Sequence, residues 1–142
     1  MLHAFSYLSV LLSGAAFGFF YAWVCSTMWG LDAGDPRIAI QAMQSMNASV
    51  RNAVFAPVFF GTPLVLLATT ALAILSGQKS AGRRFAIATA VYLVGCFLVT
   101  VLVHIPMNEA LALVSVPEDI QTARIIWDDY SPRWQLFNIV RT

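Results

Sequence analysis

The sequence predicts an all-α membrane protein of three transmembrane helices, with amphipathic helices on the extracytoplasmic side. Two observations carry this. Charged side chains make up 11% of the 142 residues and hydrophobic ones 59%, whereas soluble domains carry about 25% charge. Asp, Glu, Lys and Arg are also absent from Met1 to Leu31, from Asn52 to Gln78 and from Phe85 to Asn108. At about 1.5 Å per residue, each gap is long enough to cross about 30 Å of hydrocarbon. A net charge of +1 and two widely spaced cysteines give no support to nucleic-acid binding, a disulfide framework or a zinc ribbon.

A single domain over residues 1–142 is expected, with spans at about 4–30, 52–77 and 85–104, an amphipathic segment at 36–51 and a polar tail at 107–142. The first span lacks a basic start and is about twice as long as a signal-peptide core, so it stays attached. Within it, Gly14 and Gly18 form the small-residue spacing that lets two membrane helices approach. Lys79, Arg83 and Arg84 sit in the short link between the second and third spans with no acid among them, and short basic loops stay cytoplasmic. The amino terminus is then inside, and residues 32–51 and the tail are extracytoplasmic. The bacterial inner membrane is the expected location.

Asp35 before Pro36 reads as an N-cap with proline at the first helical position, starting a helix that runs into the second span. Arg37, Gln41, Gln44, Asn47 and Arg51 share one face of it. That face either meets water or turns Gln44 and Asn47 inward as hydrogen-bond donors. Pro57 and Pro63, with Gly61 between them, predict a bend in the second span. Pro106 should end the third span just after His104. In the tail, Ser115 and Glu118 suggest a capping box for a helix through Trp127 and Tyr130, and Ser131-Pro132 the start of another that carries Trp134, Asn138 and Arg141 on one face.

His104, which titrates near neutral pH at the outer end of a span, is the candidate proton acceptor, or simply a boundary residue. Asn108 either offers its amide to an oxyanion or caps a short helix. No metal site is expected. His3 and His104 fall at opposite ends of the hydrocarbon, which rules out a haem held between them in one chain, and Cys25 and Cys96 lie at different depths. Trp127, Tyr130 and Trp134 form either an aromatic belt at the membrane surface or a lid that stacks on a flat aromatic ligand, with Arg124, Arg133 or Arg141 supplying a cation.

The ordered set Phe19-Phe20-Tyr21-Ala22-Trp23, Met28-Trp29-Gly30-Leu31, Ala42-Met43-Gln44-Ser45-Met46-Asn47, His104-Ile105-Pro106-Met107-Asn108 and a tail with Trp127, Tyr130, Trp134, Asn138, Arg141 and Thr142 resembles the anthrone-oxygenase-like family of small integral membrane proteins. The resemblance covers nearly the whole chain. It implies a helical bundle, usually of four spans, some members of which oxidise anthrones to anthraquinones with molecular oxygen and no evident cofactor. Members continue beyond the region of Asn138 to Arg141 into a further apolar helix, hence the expectation of a short or missing fourth span.

On that resemblance, His104 would be the base and Asn108, with Gln44 or Asn47, would hold the enolate oxygen. Trp127, Trp134 and Arg141 would clamp the rings, with Tyr130 and Asn138 completing the substrate set. The implied partners are the bilayer, an aromatic small molecule or quinone, and further copies or a larger membrane complex. Two readings from other classes stay open: a non-catalytic accessory subunit, and a quinone- or lipid-binding protein without turnover.

Overall fold

In the computed structural model, which describes all 142 residues, the chain forms five helices: α1 (Leu2–Asp32), α2 (Pro36–Ser49), α3 (Phe55–Leu75), α4 (Lys79–Ala112) and α5 (Ile120–Arg141). The three charge-poor stretches become α1, α3 and α4, each long and apolar enough to cross a membrane. The Lys79 to Arg84 hairpin defines one end of the bundle and α2 the other.

At the hairpin end, α3 closes with Gly77 at φ +76°, the left-handed position that favours glycine. The amides of Gly77 and Gln78 bond back to the Ile74 and Ala73 carbonyls, a Schellman closure. Gly82 then lets α4 press against α3, because a Cβ there would stand 2.7 Å from Ile74 Cγ1. Packing of α1 on α3 includes the fully buried Ser9 and Thr69 hydroxyls, 2.8 Å apart. Above them, Ala16, Phe20, Phe59, Leu66, Tyr92 and Cys96 form one apolar core.

The Gly14 and Gly18 spacing does not serve this packing. Both glycines face open space, and α1 buries Ser9, Ala16 and Phe20 instead. Pro57 falls in the first turn of α3, where no helical donor is lost, whereas Pro63 lies inside the helix. The amide that Pro63 lacks would have met the Phe59 carbonyl four residues back; the Tyr92 hydroxyl of α4 donates to that carbonyl instead, at 2.9 Å.

Four sequence expectations are corrected at the other end. First, α2 does not run into α3. Asn52 interrupts them, its Oδ1 accepting from the amides of Val54 and Phe55. Second, Pro106 does not stop α4, which continues to Ala112. The stretch Thr100–His104 just before it is π-helical, with the Ile105 amide reaching back five residues to Thr100. This wider winding accommodates a proline ring that would clash in α geometry.

Third, the tail helix is capped by Asp119, whose carboxylate accepts from the Thr122 amide, rather than by a box at Ser115 and Glu118. Fourth, Ser131-Pro132 starts no new helix, because α5 is continuous through Pro132. It descends beside α4 until the Val140 carbonyl lies against Gly95, so α5 supplies a short fourth wall. A second core, including Met28, Ile40, Met43, Leu111, Trp127 and Trp134, joins α2 and α5 to the end of α1.

Candidate functional site

Asp32, the last residue of α1, organises the junction with α5. Its Oδ1 accepts from Trp127 Nε1 at 2.8 Å and Ser131 Oγ at 2.7 Å, and its Oδ2 from Gln135 Nε2 at 2.8 Å. The spacing of these donors, four residues apiece, places them on one stripe of α5. The carboxylate thus fixes the rotation of α5, and with it the direction of Trp134, Asn138 and Arg141.

Trp134 in turn fixes two polar groups. Its indole N–H donates to Asn108 Oδ1 at 3.1 Å, and the Tyr130 hydroxyl donates to the same oxygen at 2.8 Å. An indole nitrogen can only donate, so the orientation of the Asn108 amide follows. Its Nδ2 then donates to Asn47 Oδ1 at 3.1 Å, which leaves the buried Asn47 Nδ2 with no partner.

The Trp134 backbone carbonyl, which can only accept, lies 3.3 Å from His104 Nε2. That nitrogen therefore carries the hydrogen of the neutral ring, and Nδ1 has a lone pair and no hydrogen-bond partner. The His104 ring, 1% exposed, stands edge-on to the Trp134 indole at 5.1 Å.

Arg141 enters the bundle without a carboxylate. Its Nε donates to Asn138 Oδ1 and its Nη1 to Thr100 Oγ1, while the guanidinium lies 4.4 Å from the Phe20 ring centre and 5.1 Å from that of Trp134. Asn138 also donates to the Phe20 carbonyl. Aromatic faces and neutral oxygens thus compensate the buried cation.

These groups border a cavity of about 500 Å³, within the roughly 300–1,000 Å³ typical of small-molecule sites. Phe19, Phe20, Trp23, Phe55 and Phe59 supply aromatic walls, and His104, Asn108, Asn47, Trp134 and Arg141 the polar edge. Residues Val50 to Ala53 of the link between α2 and α3 border it as well. On that side the exposed Arg51 and Glu109 stand 3.7 Å apart.

Of the residues singled out from the sequence, His104, Asn108, Asn47, Trp134 and Arg141 come together around the cavity, and Gln44, Trp127, Tyr130 and Asn138 do not line it. Gln44 does turn inward, but its amide closes the end of α4 by donating to the Leu111 and Val114 carbonyls. Trp127 binds Asp32, Tyr130 binds Asn108, and Asn138 holds Arg141. Trp127, Tyr130 and Trp134 are buried, so they form no belt at the membrane surface. Arg124 donates to the Gly34 carbonyl, away from the cavity.

Sequence reading missed Asp32, Thr100 and the phenylalanine walls. Asp32 carried one signal, an acid directly at the end of an uncharged span. No group of three or more potential metal ligands converges, and Cys25 and Cys96 are free thiols.

A bundle of long apolar helices bordering an aromatic cavity with a small polar edge defines an integral membrane protein of the all-α class. The chain belongs to the anthrone oxygenase family, whose model matches residues 52–142. The match takes in α3, α4 and α5, and with them His104, Asn108, Trp134 and Arg141. No curated protein and no solved structure matches the chain significantly.

Proposed function

We propose that the protein oxidises an anthrone or related phenolic aromatic with molecular oxygen, without a cofactor, in the cavity beside His104. The observation that carries this reading is the double role of Trp134, whose carbonyl leaves His104 Nδ1 as a free lone pair while its indole, through Asn108, leaves the Asn47 amide free to donate. One group is suited to accept a proton and the other to hold the oxygen on which negative charge then develops.

The C–H between the two aryl rings of an anthrone is acidified because its anion is an aromatic enolate. His104 Nδ1 takes that proton, the enolate oxygen receives the Asn47 N–H, and the Arg141 guanidinium offers positive charge from the far edge. The enolate carbon transfers electrons to oxygen and bonds to it, the peroxide formed takes up a proton, and loss of water leaves the quinone carbonyl. Anthrone and one O2 thus give anthraquinone and one H2O, so O2 is the only oxidant needed. Gln44, assigned on the resemblance as an alternative holder of the enolate, supports the architecture instead.

The orientation argued from Lys79, Arg83 and Arg84 puts the cavity in the extracytoplasmic half of the membrane. A second reading, association with another copy or a larger complex, draws on the open face at Gly14 and Gly18 of α1. Mass in mild detergent tests it.

Oxygen uptake on anthrone by the purified protein tests the main proposal. His104→Ala should lower turnover per folded molecule by about 10²–10⁴-fold. Equal rates in the two proteins, or no uptake by the parent, would overturn it.

A further inference from the structure

We infer that the cavity opens sideways into the lipid between the α2-end halves of α3 and α4, and that its ligand, an uncharged fused-ring aromatic, arrives from the membrane by this route. The class of ligand rests on the proposed function; the opening does not. Helix α3 packs along α4 from the hairpin as far as Leu98 and loses touch with it beyond that residue. The two helices form a wedge whose narrow end is closed by Phe97, stacked on Phe59 at 5.5 Å and edge-on to Phe60 at 6.1 Å.

Phe60 on one wall and Ile105 on the other both line the cavity, yet they are 55% and 37% exposed. Their outer surfaces therefore belong to the apolar belt of the bundle while their inner surfaces belong to the site. Elsewhere α1 presents Phe20 and Trp23 to the cavity, α5 presents Trp134, and α2 with its link presents Met46 and Asn47. The aqueous border carries Arg51 and Glu109. No charged residue occurs in α3, nor on α4 between Arg84 and Glu109, so nothing on the wedge walls repels hydrocarbon.

A neutral polycyclic ring concentrates in the bilayer by the transfer free energy of its apolar surface. Reaching the cavity from water would require passing the Arg51 and Glu109 side; reaching it from lipid requires passing only Phe60 and Ile105. The wedge also sets a selection rule, because a molecule ionised before binding would have to leave its counter-charge or its water in hydrocarbon.

Bromine-labelled lipid tests the opening independently of turnover. A Trp23→Phe/Trp29→Phe variant removes the lipid-exposed indole of Trp29, 64% exposed, and the half-buried one of Trp23, leaving Trp127 and Trp134, both almost fully buried. It is reconstituted in phosphatidylcholine vesicles with or without acyl-chain bromine, and the ratio of emission in the two vesicle types is read. Adding Trp134→Phe to the same variant isolates the contribution of Trp127.

The expected result is bromine quenching of Trp134 and none of Trp127. Quenching should fall when Ile105→Phe narrows the wedge and rise when Phe60→Ala widens it. Anthraquinone dissolved in the vesicles should return the ratio toward one by displacing the acyl chain. A ratio of one without anthraquinone would overturn the inference, as would quenching that anthraquinone leaves unchanged. Oxygen uptake on anthrone together with no bromine effect would remove the lipid route and leave the proposed function standing. Quenching relieved by anthraquinone, with no oxygen uptake, would remove the function and leave the route.

Discussion

Near the hairpin, α3 and α4 approach so closely that any side chain at position 82 would displace Ile74, whereas beyond Leu98 the same two helices diverge and the space between them becomes the cavity. The hairpin half is held by apolar contact and a few fully partnered hydroxyls, among them Ser9 with Thr69 and Tyr92 with the Phe59 carbonyl. The α2 half is held by a polar network running from Asp32 through α5 to Asn108 and Asn47, and two of its neighbouring polar atoms are left without partners. The difference teaches a division of labour. One half closes the bundle, and in the other α5, tied by Asp32 to the end of α1, walls the space that opens where α3 and α4 part.

Substitutions that should damage one half and spare the other would break this comparison if they failed to do so. The largest effect is expected from Asp32→Ala, which strands the Trp127, Ser131 and Gln135 donors at the top of α5. It should cost about 3 kcal/mol and weaken ligand binding as α5 loses its register, measured by thermal melting in detergent and by anthraquinone titration. Gly82→Val should cost about 2 kcal/mol by overpacking against Ile74 yet leave oxygen uptake per folded molecule unchanged; a selective fall in rate would show that the hairpin half sets the cavity.

Tyr92→Phe sharpens the point at smaller scale. Loss of its bond to the carbonyl that Pro63 leaves free should cost about 1 kcal/mol, and Pro63→Ala in the same background should recover part of that loss by restoring the helical amide.

The smallest effect is expected at the exposed start of α2. The Arg37 side chain and amide hold the Asp35 carboxyl down at about 2, against an ordinary value of 3.8. A depressed acid contributes stability fully above its unfolded value, and the contribution disappears as pH falls through the folded one. The first turn of α2 should therefore loosen between about pH 4 and 2, and Asp35→Asn should remove that pH dependence. Amide exchange at Arg37 reads the change.

The spans were legible because an uncharged stretch has few alternatives, and the Asp35-Pro36 cap because its signal is local. Five of the nine site residues expected from the sequence line the cavity, and the other four are in the network that supports it. Their roles were less legible than their presence. Nothing within one turn of Trp127 announces Asp32, ninety-five residues away. Pro106 misled because its usual effect presumes α geometry in the preceding turn, and the π-helical winding at Thr100–His104 depends on neighbouring helices rather than on local composition. Serine with a glutamate three residues later looked like a box, but Asp119 had the stronger acceptor at the point where the chain turns into the bundle.

The widened turn at Thr100–His104 amounts to one surplus residue in the phase of the helix. Deleting one position there would let the turn close to α geometry and leave the bearing of Asn108 toward Asn47 and Trp134 unchanged, but would bring the Pro106 ring against the carbonyl four residues before it.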